Sequence, residues 1–110
     1  MMTKDNRRNL ISHPGRILKE EFLEPMGITV YALSRAIGVP RTRINDIVLK
    51  RRGISADTAI RLAKFFGTTP ESWMNLQKHY DLVMAETAPG NKFSKVRTLK
   101  DIRAEELAHA

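Results

Sequence analysis

A chain of 110 residues with no cysteine and a formal net charge of +7 suits one domain that buries its own core, and excludes disulfides, thiol nucleophiles and thiolate metal sites. The charge is uneven: residues 35–64 carry 8 Lys/Arg against 2 Asp/Glu, residues 1–34 carry 5 against 4, and residues 65–110 carry 6 against 6. The window with Arg35, Arg41, Arg43, Lys50, Arg51, Arg52, Arg61 and Lys64 is the candidate polyanion surface, set against the plainer reading of a solvated basic face.

Residues 1–12 read as a polar N-terminal arm without a signal-peptide apolar core, and no apolar run approaches the roughly 18 residues of a membrane span. A soluble cytoplasmic protein with no membrane partner is expected. His13-Pro14-Gly15 opens a helix, because proline is preorganised for the first helical position and its missing N–H is not needed there. Ile17, Leu18 and Phe22 supply an apolar face, and Pro25 with Gly27 ends the helix near Met26. Thr29 caps the next helix, where Leu33 and Ile37 share a face up to Gly38. A further helix begins around Val39-Pro40 and runs to about Leu49 with Ile44, Ile47 and Val48 inward. After the basic loop Arg51-Arg52-Gly53, Ser55 caps a helix with Asp57 in its first turn and Ala59, Leu62, Ala63 and Phe66 as its core stripe, closed by Gly67. Thr69 and Pro70 start another, with Trp73, Leu76, Tyr80 and Val83 on one side; the aromatics there are core rather than base-stacking groups. Pro89-Gly90-Asn91 is a breaker, so the compact domain ends near Met84 or Ala85. Beyond it Thr98 to Asp101 forms a weak capping box, and Leu99, Ile102 and Leu107 give a thin apolar face that needs docking to persist.

The pattern is all-α: a compact five-helix domain over residues 13–85, an arm over 1–12 and a C-terminal tail over 86–110 with a possible short helix. Within it, Thr29 to Lys50 reads as two short helices joined by a glycine turn. Ser34, four residues before Gly38, is small enough for the helices to cross closely. With Leu33, Ile37, Val39, Ile44 and Ile47 inward, Arg41, Thr42, Arg43, Asn45 and Asp46 face outward near the start of the second helix, the part that reaches base edges in a major groove. Arginine pairs with guanine, asparagine with adenine, and threonine touches either an edge or a thymine methyl. Arg41, Thr42 and Asn45 are therefore the candidate base readers. Asp46 can accept from cytosine but more naturally steadies Arg43 or Lys50. Lys50, Arg51 and Arg52 follow where a loop meets phosphate, and the helix N-terminus at Thr29 offers N–H groups to another.

These segments resemble the Xre-type, lambda-repressor-like helix-turn-helix family, and within it the HigA (VapI-like) antitoxins. The resemblance covers about His13 to Ala85. It rests on His13-Pro14-Gly15 with Lys19-Glu20-Glu21-Phe22-Leu23, the helix-turn-helix, Gly53-Ile54-Ser55-Ala56-Asp57-Thr58-Ala59, and Thr69-Pro70-Glu71-Ser72-Trp73-Met74-Asn75-Leu76-Gln77 with Tyr80-Asp81-Leu82. Arg16 stands where glutamate is usual and Ser34 where alanine is commonest. The resemblance implies a homodimer that represses its own operon on double-stranded operator DNA and neutralises a RelE-like ribonuclease toxin of the HigB type. The last predicted helix of the domain and its surroundings are the expected dimer interface, with the tail a further contributor to dimer or toxin contact.

Two readings compete. A stand-alone regulator without a toxin would share every DNA-binding feature and differ only in its gene neighbourhood. A protein-interaction module would show little salt dependence, whereas about six phosphate contacts cost roughly 10³ in affinity between 50 and 200 mM salt. Catalysis has no constellation to support it: His13, His79 and His109 are scattered caps or surface residues, and neither cofactor nor metal is called for.

Overall fold

The protein, seen here in a computed structural model, is described over residues 6–90 and 92–109, which form helices and turns with no strand among them. Part of the expected arm (residues 1–5) and Asn91 of the breaker lie outside the described residues. All five expected helices are present. They are α2 (residues 14–26), α3 (Val30–Ile37), α4 (Arg41–Val48), α5 (Ala56–Phe66) and α6 (Pro70–Glu86). Two short helices flank them: α1 (Arg7–Leu10), within the segment expected to be an arm, and α7 (Leu99–Ala108) in the tail.

The starts of α2, α3 and α6 are each set by a side chain that satisfies an early N–H, whereas α4 begins after Pro40 with no side-chain cap. His13 Nδ1 accepts from the Gly15 N–H at 2.9 Å, Thr29 Oγ1 from Ala32 at 3.0 Å, and Thr69 Oγ1 from Ser72 at 3.1 Å. The interior of α2 departs from the regular pattern expected of it, since Leu18–Leu23 forms a wide π turn in which the Glu24 N–H reaches Lys19 O. Pro25 gives the physical reason. It lacks the N–H that would bond Glu21 O, and its ring crowds that carbonyl, so the preceding turn widens.

Leu18, Leu33, Ile44, Ile47, Ala59 and Leu62 are wholly buried, and Trp73 joins them with its Nε1 donating to Thr68 Oγ1 at 2.8 Å. Phe22 and Phe66 pack against the tryptophan ring, with Phe22 centred 4.9 Å from it. Truncating such a side chain to alanine costs about 2–5 kcal/mol. Gly15 permits the closest approach, since a Cβ there would collide with the carbonyl oxygen of Ile47 near the end of α4. The start of α2 thereby fixes the level at which α4 lies.

Arg8 ties α1 to the end of α6, donating to Met84 O at 2.9 Å and to Thr87 Oγ1 at 3.2 Å, and Arg7 stands 3.8 Å from Glu86. Cations there meet the negative end of the helix dipole. Beyond α6 the packing stops. A helical turn, Lys92–Lys95, and then α7 follow, and every described residue from 92 to 109 is exposed. Local bonds hold α7: Thr98 and Asp101 form a reciprocal capping box, and Arg97 pairs with Glu105 at 2.8 Å. The radius of gyration is 19.6 Å, well above the roughly 13 Å of a compact chain this long, in keeping with a tail that lies outside the core.

Candidate nucleic-acid interface

The crossing of α3 and α4 is built at Gly38, whose φ of +72° is the left-handed conformation that closes a helix without a Cβ penalty. Val39 N–H then returns to Ser34 O at 3.0 Å and Gly38 N–H to Arg35 O at 3.3 Å. Ser34 is buried at the crossing. Its hydroxyl donates to Tyr31 O at 2.8 Å inside its own helix, so the buried serine leaves no polar atom unsatisfied there. Ile44 and Ile47 anchor α4 from within, both at 0% exposure.

That anchoring leaves the other edge of α4 in solvent. Arg41, Thr42 and Asn45 are exposed, while Arg43 and Asp46 are half-buried. Their partners differ from those expected. Asp46 lies 3.8 Å from Arg51, not beside Arg43 or Lys50, because the turn after α4 folds the Arg51 N–H back onto Asp46 O at 2.8 Å. Arg43 reaches instead to Asp57 Oδ2 at 3.0 Å. The same oxygen accepts from Arg61 Nε at 3.0 Å, and Arg61 Nη1 donates to Ile37 O at 2.7 Å. Asp57 and Arg61 of α5 thus link both helices of the crossing, since Arg61 caps the end of α3 while Asp57 holds Arg43 of α4.

Tyr31 is a second contributor that the sequence reading misses. Its half-exposed ring has the Arg35 and Arg41 guanidinium carbons each 5.8 Å from its centroid, and Arg35 Nη1 donates to its hydroxyl at 3.2 Å. Such contacts contribute roughly 0.5–1 kcal/mol at exposed positions, enough to favour one orientation of a mobile side chain. Its place two residues after the Thr29 cap is the signal available in the sequence. The spacing of Asp57 and Arg61, four apart on one helix, is the other.

The basic loop continues from the end of α4. Lys50 takes φ +64°, and its N–H bonds Ile47 O at 3.0 Å in the position where glycine is usual. Lys50, Arg51 and Arg52 are all exposed. The loop is fixed from below by Gln77 of α6, whose Oε1 accepts from the Ile54 N–H at 2.7 Å while its Nε2 donates to Asp81 at 2.9 Å. His13 packs edge-on against Tyr80, with ring centroids 4.9 Å apart. Burial chiefly, and then the Lys50 charge, hold its pKa below the ordinary 6.5, with Asp81 opposing. Thr29 is exposed at the start of α3. Among the described residues no helix is long and apolar enough to cross a membrane, and no group of three or more His, Asp or Glu could hold a metal ion.

Two helices locked across a glycine turn, the second with its polar edge outward, define a helix-turn-helix protein. The Helix-turn-helix family model matches residues 19–73. Virulence-associated protein I of Dichelobacter nodosus is 55% identical over 74 residues, which are 67% of this chain and 68% of that protein. Antitoxin HigA-1 of Vibrio cholerae is 44% identical over 81 residues, 74% of each. Among solved structures, the Pseudomonas aeruginosa antitoxin HigA with the higBA promoter superposes with a TM-score of 0.76 at 46% identity, covering 81% of this chain and 98% of that one. The chain belongs to the Xre-type helix-turn-helix family, in its HigA and VapI-like branch.

Proposed function

We propose that this protein is a cytoplasmic DNA-binding antitoxin, not an enzyme, which represses its own operon and neutralises a RelE-like ribonuclease of the HigB type. The observation that carries the DNA reading is the exposed edge of α4, held outward by Ile44 and Ile47 and continued by a basic loop. Arg41, Thr42 and Asn45 read base edges, with Arg43 and Asp46 bracing that edge beside them. Lys50, Arg51, Arg52 and the N-terminus of α3 at Thr29 take backbone phosphates. The relatives antitoxin HigA-1 and the antitoxin HigA with the higBA promoter support the same role.

The working unit is a homodimer. Two α4 helices about 34 Å apart meet successive major grooves on one face of a palindrome. The domain that carries them spans residues 13–85, with α6 and its half-exposed Leu82 at the dimer contact. A gel-shift on the DNA upstream of its own gene, with and without the neighbouring gene product, tests the proposal. A shift that the neighbouring product alters, together with co-purification of the two proteins, is expected. A shift that it never alters makes the protein a stand-alone regulator, and the absence of any shift removes DNA binding.

A further inference from the structure

Residues 92–100 read Lys-Phe-Ser-Lys-Val-Arg-Thr-Leu-Lys, four cations and no carboxylate in nine positions. The even balance of charge over residues 65–110 hides this run, because the carboxylates there lie on α6 and from Asp101 onward. All nine residues are exposed. Lys95 and Lys100 make no ion pair among the described residues, Lys92 lies over the Phe93 ring, and Arg97 holds Glu105. Nothing in the core depends on the segment.

Its reach follows from α6. That helix passes beneath the basic loop at Gln77, bonded to Ile54 just after Arg51 and Arg52. From Gln77 to Glu86 it rises nine residues, roughly 14 Å. From Glu86 the chain has six residues to Lys92, a path of at most roughly 20 Å, and the Lys92–Lys95 turn follows. The cations can therefore return to the level of the loop. A segment with this charge is repelled by a basic partner and attracted by a polyanion, and duplex DNA is the polyanion this molecule already faces.

We infer that residues 92–100 form a second, sequence-blind contact to duplex DNA, taking backbone phosphates beside those met by Lys50, Arg51 and Arg52. This rests on the DNA-binding reading above. Neutralised phosphates release counterions, so each contact adds about 0.9 to the slope of log affinity against log salt. Bound in this way, the tail strengthens attachment to every duplex without changing which sequence is preferred.

The test compares the full chain with its Lys92→Gln, Lys95→Gln, Arg97→Gln, Lys100→Gln variant. Affinities are measured for the duplex upstream of the gene and for a scrambled duplex between roughly 50 and 200 mM salt. A Lys19→Glu, Lys78→Glu variant, which lowers the net charge by the same amount at exposed positions outside the tail, controls for net charge alone. The salt slope of the tail variant should fall by about 2 to 4 and its affinity at low salt about tenfold or more, equally on both duplexes. Melting temperature and oligomeric state should stay at wild-type values. A slope that stays at the wild-type value, or falls as far in the control, overturns the proposal. Affinity lost together with dissociation of the dimer also overturns it and makes a second copy the occupant. A wild-type chain that binds neither duplex sinks the DNA reading and the tail with it, whereas wild-type binding with an unmoved variant slope sinks the tail alone.

Discussion

Tyr31 has guanidinium groups from two helices at its ring, and one of them, Arg41, is among the three side chains proposed to read bases. A long arginine loses rotamer freedom when it reads a base edge, so an aromatic face that restrains it beforehand lowers that cost. Tyr31→Leu should therefore weaken discrimination at the base pair that Arg41→Ala affects, by about 0.5–1 kcal/mol, while Tyr31→Phe retains it. Affinities for single base-pair variants of the bound duplex check this, and a loss at some other base pair would contradict it. His13 carries a prediction in pH. Its Nδ1 accepts the Gly15 N–H, so a proton added there ends the cap. With its pKa held below 6.5 in the folded state, the unfolded chain takes up the proton first. The stability contribution is then complete above about pH 6.5 and is lost as pH falls below it. His13→Asn keeps a capping oxygen that does not titrate, and melting temperatures between about pH 7 and 5 should show a shallower slope than wild type. At this scale the sequence reveals residue types but not partners. Asn45 and Arg41 are legible as outward because Ile44 and Ile47 are legible as inward. Asp57 as the partner of Arg43 is not, because that pairing depends on where α5 lands against α4.

At the scale of elements, the ends are written locally. Ser, Thr, Pro and Gly act on their own few residues, which is why the five helices of the domain can be located from sequence spacing. The wide turn inside α2 is harder to read, because it is a compromise between Pro25 and a face that must remain apolar. Lys50 is harder again. A glycine announces a left-handed residue, whereas a lysine at φ +64° does not. That conformation costs an L-residue roughly 1 kcal/mol. Lys50→Gly should raise the unfolding free energy by about 0.5–1 kcal/mol and weaken binding to all duplexes, lowering the salt slope by about one. Chemical denaturation paired with a salt titration measures both. Stability that falls would show the lysine side chain to be holding the turn. A cation kept in a strained position at the end of α4 is what a phosphate contact at that point would favour.

At the scale of the whole molecule, one core carries α2 to α6, and the tail stands outside it. The expectation that the tail's thin apolar face needs docking is legible in its sequence; the capping box and the Arg97 to Glu105 pair that shape it without docking are short-range and equally local. The dimer contact proposed at Leu82 depends on a second copy of the chain, which no local sequence pattern encodes. The central claim, that the polar edge of α4 enters a duplex groove, is tested most directly by two substitutions compared on single base-pair variants of the upstream duplex. Arg41→Ala should cost about 1–3 kcal/mol and erase the preference at one base pair, while Arg51→Ala should weaken every duplex alike and lower the salt slope by about one. Equal, sequence-blind losses from both substitutions would contradict it.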